Sequence, residues 1–191
     1  MEAHSKRSLI IIVHEIYGIN DHINYYKDFL TTEGFDVQIP DLLNNVSFSY
    51  EEEDKAYHFF MNEIGFKKSL QAIKQLVETN RKKYEQIFVL GFSIGATIAW
   101  LSTEYKVDGI IGFYGSRIRD YSDIEPQCPI LLFFSSNEQT FNVLELTQKL
   151  QNKKQIQVKV IEAEHGFMNP FSKNYPSCCG NRKGRTIFAP G

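Results

Sequence analysis

Apolar positions along the chain fall into two regimes. Short β-branched and apolar runs at Leu9 to His14, Asp36 to Ile39, Gln86 to Leu90, Val107 to Tyr114, Ile130 to Phe134 and Gln155 to Ile161 predict strands. Their continuity predicts burial on both sheet faces, since a half-solvated strand would alternate apolar with polar residues. Between them apolar residues recur every three or four positions, the spacing that lines one face of a helix. Ile23, Tyr26, Phe29 and Leu30 mark the first such helix, with Asn20 or Asp21 placed to cap its start and Gly34 its end. Phe66, Leu70, Ile73 and Val77 mark a second, Ile94 to Tyr105 a third, and Val143, Leu146 and Leu150 a fourth. Strands alternating with helices predict an α/β fold, a doubly wound and mostly parallel sheet with helices on both faces.

The stretch from Pro40 and Asp41 to about position 62 has no clean period but carries Phe48, Tyr50, Tyr57, Phe59 and Phe60. It reads as a loop and short helix over a site, with core packing an equal claim on any one of these rings. No repeat or linker divides the chain, so residues 1–176 are expected to form one domain. Residues 177–191 hold Pro, Gly, Cys178, Cys179 and scattered cations without helical period, and read as an atypical tail.

With 191 residues the chain is long enough to bury a core without disulfides or metal. Its net charge of -2, with Lys and Arg dispersed, leaves no basic stripe, so nucleic acid is not an expected partner. The acidic run Glu51 to Asp54 reads as a solvated helix start. The apolar stretch after Lys6 and Arg7 ends at Val13, too short for an export signal, and no run approaches the ~20 residues that span a bilayer. No membrane partner and a cytoplasmic location are expected. Three cysteines, an odd number, fit a reducing compartment; Cys128 reads as a core or edge residue, and none has zinc-site spacing. No metal or cofactor is expected, and His14-Glu15 lacks the second histidine of an HExxH helix.

Chemistry enters at Gly91-Phe92-Ser93-Ile94-Gly95, a G-x-S-x-G motif that follows an apolar strand and opens an apolar helix. That context is the nucleophile elbow, in which a strained turn holds the serine hydroxyl out at the C-terminal edge of the sheet. The flanking glycines let strand and helix backbones approach without a Cβ between them. Serine needs a base, and His165, just past the last predicted strand, is the only histidine downstream. Glu138 is the only carboxylate in the loop after Ile130 to Phe134 and is the expected orienting acid; Asp123 and Glu162 are fallbacks. The amide of Ile94 and that of Ile16, or failing it Tyr17, are the expected oxyanion donors, with Gly18 permitting the tight turn beyond.

These motifs, with His14-Glu15-Ile16-Tyr17-Gly18-Ile19-Asn20, Gly34-Phe35, Pro40-Asp41-Leu42 and His165-Gly166-Phe167, make the chain resemble the dienelactone hydrolase family over about residues 8 to 170. The resemblance implies an α/β-hydrolase fold with a minimal cap, no cofactor, and cleavage of small-molecule esters or lactones through an acyl-enzyme. Founding members carry cysteine where Ser93 stands and aspartate where Glu138 stands. Their two carboxylate-binding arginines align with Glu53 and Asn169, which implies a neutral ester as substrate. Glu15 matches a carboxylate that contacts the resting thiol. Tyr57, Phe60 and Tyr114 are expected to line the pocket, and Arg117 and Arg119 to be solvated. The family's closing helix has no counterpart in the tail, so a homodimer that covers the bare strip is an expectation. Two alternatives stay open: a non-catalytic binding module, or a thioesterase or amidase on the same machinery.

Overall fold

The computed structural model describes residues 7–176. The expectations placed on Cys178 and Cys179, and on the tail with its bare strip and dimer, lie outside the described residues.

Among the described residues six strands form one sheet: β1 (Ser8–Val13), β2 (Asp36–Gln38), β3 (Gln86–Phe92), β4 (Gly109–Phe113), β5 (Ile130–Ser135) and β6 (Ile156–Ile161). Their order is β2-β1-β3-β4-β5-β6, and all five pairings are parallel. The helices are α1 (Asp21–Thr32), α2 (Glu53–Phe59), α3 (Gly65–Asn80), α4 (Ile94–Leu101) and α5 (Val143–Gln151). No helix among the described residues is long and apolar enough to cross a membrane.

Strand alternation splits the core into two layers. Leu9, Ile11, Val89, Ile110, Leu132 and Phe134 face the layer with α3, α4 and α5. Ile10, Ile12, Leu90, Phe92, Phe113 and Phe133 face α1 through Ile23, Tyr26 and Leu30. The ends of α1 follow from its sequence. The Asn20 side chain accepts from the Ile23 N–H at 3.3 Å, and Gly34, at φ 92°, closes the other end. There the Phe35 N–H donates to the Leu30 carbonyl and the Gly34 N–H to that of Thr31, which satisfies carbonyls the helix leaves free.

Differences from expectation are local. Helix α4 stops at Leu101 rather than Tyr105, giving way to the tighter turn Ser102–Glu104, where the Ser102 hydroxyl donates to the Ala99 carbonyl at 2.7 Å. Strand β4 starts at Gly109 rather than Val107, because the Asp108 carboxylate takes the Ile87 N–H at 2.7 Å and Val107 packs into the core. The aromatic segment forms the short turn Tyr50–Glu52, then α2, then a π-helical turn Phe60–Ile64. The run Glu51 to Asp54 is indeed a largely exposed helix start.

Along the sheet, the chain steps outward from β1 to β2, crosses back to β3 on the other side of β1, and continues to β6. The crevice outside the C-terminal ends of β1 and β3 is therefore a topological switch point, where open α/β sheets place their ligands. Ser93 follows β3, and Ile16 follows β1.

Candidate active site

Ser93 sits between β3 and α4 with φ 53° and ψ -117°, a conformation a side-chain-bearing residue rarely adopts. Its N–H donates to the Phe113 carbonyl of β4 at 2.9 Å, which anchors the turn. The flanking glycines are required sterically. A Cβ on Gly91 would overlap the Gly95 carbonyl, and one on Gly95 would overlap the Val13 carbonyl of β1.

His165 comes back over this turn. Its Nε2 is 3.1 Å from Ser93 Oγ, and its Nδ1 is 2.8 Å from Glu138 Oε1. The Glu138 side chain is 4% exposed and that of His165 40%, so the carboxylate is sheltered while the imidazole opens to the cavity. Burial pulls the His165 pKa down, but the hydrogen bond and charge of Glu138, with Glu15 and Glu53 behind, outweigh it and hold it above 6.5. The acid and histidine loops are tied to each other. The Ser135 hydroxyl donates to the Ala163 carbonyl at 2.5 Å and the Ser136 N–H to that of Ile161 at 2.8 Å. From the other sides, the Asn174 amide donates to the His165 carbonyl and the Tyr26 hydroxyl to that of Met168.

Ser93 and His165 open on a cavity of about 810 Å³. The backbone N–H groups of Ile94, the first residue of α4, and of Ile16 have no partner among the described residues, and both residues line this cavity with Ser93.

A model of the dienelactone hydrolase family matches residues 1–182. The chain belongs to the dienelactone hydrolase family. It is 39% identical over 170 residues to the uncharacterized protein YczH of Bacillus subtilis (strain 168), covering 87% of this chain and 83% of that protein. Among solved structures it resembles a protein of Klebsiella pneumoniae subsp. pneumoniae provisionally named a dienelactone hydrolase, with TM-score 0.74, 17% identity, and 93% and 83% of the two chains covered. It also resembles the dienelactone hydrolase-like promiscuous phosphotriesterase P91 from metagenomic libraries, with TM-score 0.67, 16% identity, and 88% and 75% covered. At these identities the two structures establish the α/β-hydrolase fold.

Within this dienelactone hydrolase fold the structure brings Ser93, His165, Glu138, Ile94, Ile16, Glu15 and Tyr57 to one cavity. Two expected lining residues are elsewhere. Phe60 is 1% exposed and packs edge-on against Phe66, because it lies one helical turn beyond Ala56 on the buried face of α2. Tyr114 is wholly buried under the site, its ring 4.8 Å from that of His165, so it is a floor for the imidazole rather than a cavity wall. Burial, then the nearby Glu15 charge, hold its hydroxyl well above pKa 10. Arg117 and Arg119, expected to be solvated, are only about 30% exposed at the cavity rim, and both guanidinium groups approach Asp120. Asp123 pairs with Lys149 at the surface.

Three residues of the site had no role assigned from sequence. His14 is buried; its Nδ1 donates to the Glu15 carbonyl at 2.6 Å and its Nε2 accepts from the Leu42 N–H at 3.1 Å. Both ring nitrogens being spoken for, it is a neutral stitch between the β1 and β2 loops, and burial lowers its pKa accordingly. His22 on α1 is buried 3.3 Å from Glu15 Oε2. Tyr50 takes hydrogen bonds from Asn20 at 3.2 Å and Asn169 at 2.8 Å. A histidine directly after an apolar strand was the available signal for His14; the Tyr50 contacts are too distant in sequence to leave one.

Proposed function

We propose that this dienelactone hydrolase family member hydrolyses neutral carboxylic esters or lactones through a Ser93 acyl-enzyme. The observation that carries this is the unbroken chain from Glu138 through His165 to Ser93. His165 Nε2 accepts the hydroxyl proton as Ser93 Oγ attacks the ester carbon, while Glu138 holds the Nδ1–H tautomer and stabilises the imidazolium. The amides of Ile94 and Ile16 receive the oxyanion. His165 then protonates the leaving alcohol, and a water, deprotonated by the same nitrogen, releases the acid and restores Ser93. The chemistry is complete without a cofactor.

Neutral substrates are favoured by the charges around the cavity. Glu15, Glu51 and Glu53 line it with Lys173, whereas its two arginines approach Asp120. A carboxylate-bearing substrate would meet like charge there. The test compares p-nitrophenyl butyrate with the mono-p-nitrophenyl ester of succinic acid. Butyrate should be favoured in kcat/KM by tenfold or more; equal or reversed preference would contradict the neutral-ester assignment.

A further inference from the structure

The hydroxyl of Tyr50 has its hydrogen bonds assigned by the two amides that touch it. Asn20 caps α1, and its Oδ1 already accepts from the Ile23 N–H at 3.3 Å, so the group facing Tyr50 is the NH₂, which donates at 3.2 Å. The Asn169 Oδ1 likewise accepts from the Phe171 N–H at 2.9 Å, so again the NH₂ faces Tyr50 and donates at 2.8 Å. Flipping either amide would present a carbonyl where the backbone N–H needs an acceptor. The phenol oxygen therefore accepts twice, and what remains to it is its own O–H. No described residue accepts that proton. Tyr50 is half-buried and lines the same cavity as Ser93 and His165. Its ring is held edge-on by Tyr17, with centroids 4.9 Å apart, so the donor is fixed in place before any ligand arrives.

We propose that Tyr50 is a specificity-determining hydrogen-bond donor that recognises an uncharged oxygen of the substrate other than the reacting ester group: an ether, hydroxyl or second carbonyl oxygen. The assignment rests on the ester-hydrolase reading of the site. An uncharged acceptor fits because Glu15, Glu51 and Glu53 line the same cavity as Tyr50 and would repel a carboxylate. Burial, only partly offset by the two amide hydrogen bonds, raises the Tyr50 pKa, so the donor keeps its proton at neutral pH. Asn169 stands where the family resemblance places a cationic side chain, and here its role is to aim a neutral donor.

The test uses p-nitrophenyl hexanoate and three analogues in which an ether oxygen replaces the methylene at C3, C4 or C5, turned over by wild type and Tyr50→Phe. For at least one ether, Tyr50→Phe should lose about tenfold more kcat/KM than it loses on hexanoate, the extra loss lying in KM. A second variant, Asn169→Asp, keeps the contact but gives the Tyr50 proton an internal acceptor, and it should erase the same ether discrimination with the phenol intact. Equal losses on hexanoate and every ether in both variants would mean that Tyr50 only braces the loops, and would overturn the assignment while leaving the hydrolase intact. No turnover of any of the four esters by wild type would overturn the hydrolase reading and this assignment with it.

Discussion

Ser93 and His165 lie 72 positions apart, and their 3.1 Å contact exists because Glu138 and the backbone of two loops leave the imidazole one orientation. Groups that work as a unit are lost as a unit, so Ser93→Ala or His165→Ala should each lower kcat/KM on a neutral aryl ester by about 10⁴ to 10⁶-fold. The raised His165 pKa sets the pH dependence. A base must be neutral to accept a proton, so kcat/KM should rise with pH through an inflection above 6.5, and Glu138→Gln should move that inflection down while lowering the rate. A pH-rate profile of both proteins decides it. Stability runs the other way: the protonated His165–Glu138 pair contributes fully below the unfolded value of 6.5, and the contribution is lost as pH rises through the folded-state pKa. The gap in thermal midpoint between wild type and His165→Gln should therefore narrow from pH 6 to pH 9.

Among the elements, the elbow is the most demanding junction, because β1, β3 and α4 meet there with no room for a side chain. A Cβ at Gly95 would overlap the Val13 carbonyl and approach that of His14 to 2.6 Å, both backbone atoms that cannot rotate aside. Gly95→Ala should cost about 3 kcal/mol by urea denaturation, the upper part of the range for overpacking, and displace Ser93 with it. An undisturbed unfolding midpoint would mean that strand and helix are not this close. The four central strands were legible in sequence because burial on both faces demands unbroken apolar runs; the edge strands β2 and β6, expected to be buried on both faces too, interleave polar residues and are only half-buried, since an edge is covered less. The elbow was legible because its glycines answer a steric need that few other turns have. The segment over the cavity was not, because its helix passes into a π-helical turn at Phe60–Ile64 that breaks the period. Phe60 follows the buried Ala56 by one turn and so faces the core, while Tyr57 stayed on the cavity as expected. Tyr114 misled in another way: an aromatic at the end of a central strand can point up or down, and its φ of 45° sends it under His165.

For the whole molecule, the reversal of strand order between β1 and β3 places the cavity, and the loops after β3, β5 and β6 carry Ser93, Glu138 and His165 in that order along the chain. The placement of these three residues after their strands followed from counting strands in the sequence; the strand order did not. What did not follow were the long-range stitches, His14 to Leu42 and Tyr50 to Asn169, since nothing in local composition reports a partner 28 or 119 positions away. The central claim is that this architecture activates one serine. It is tested most directly by treating the full-length protein with a serine-reactive organophosphonate and reading intact mass, which requires no knowledge of the natural ester. One adduct on wild type, absent from Ser93→Ala and strongly slowed in His165→Ala, is the expected result. A folded wild type that takes up no label, or a Ser93→Ala variant that labels as readily as wild type, would contradict it.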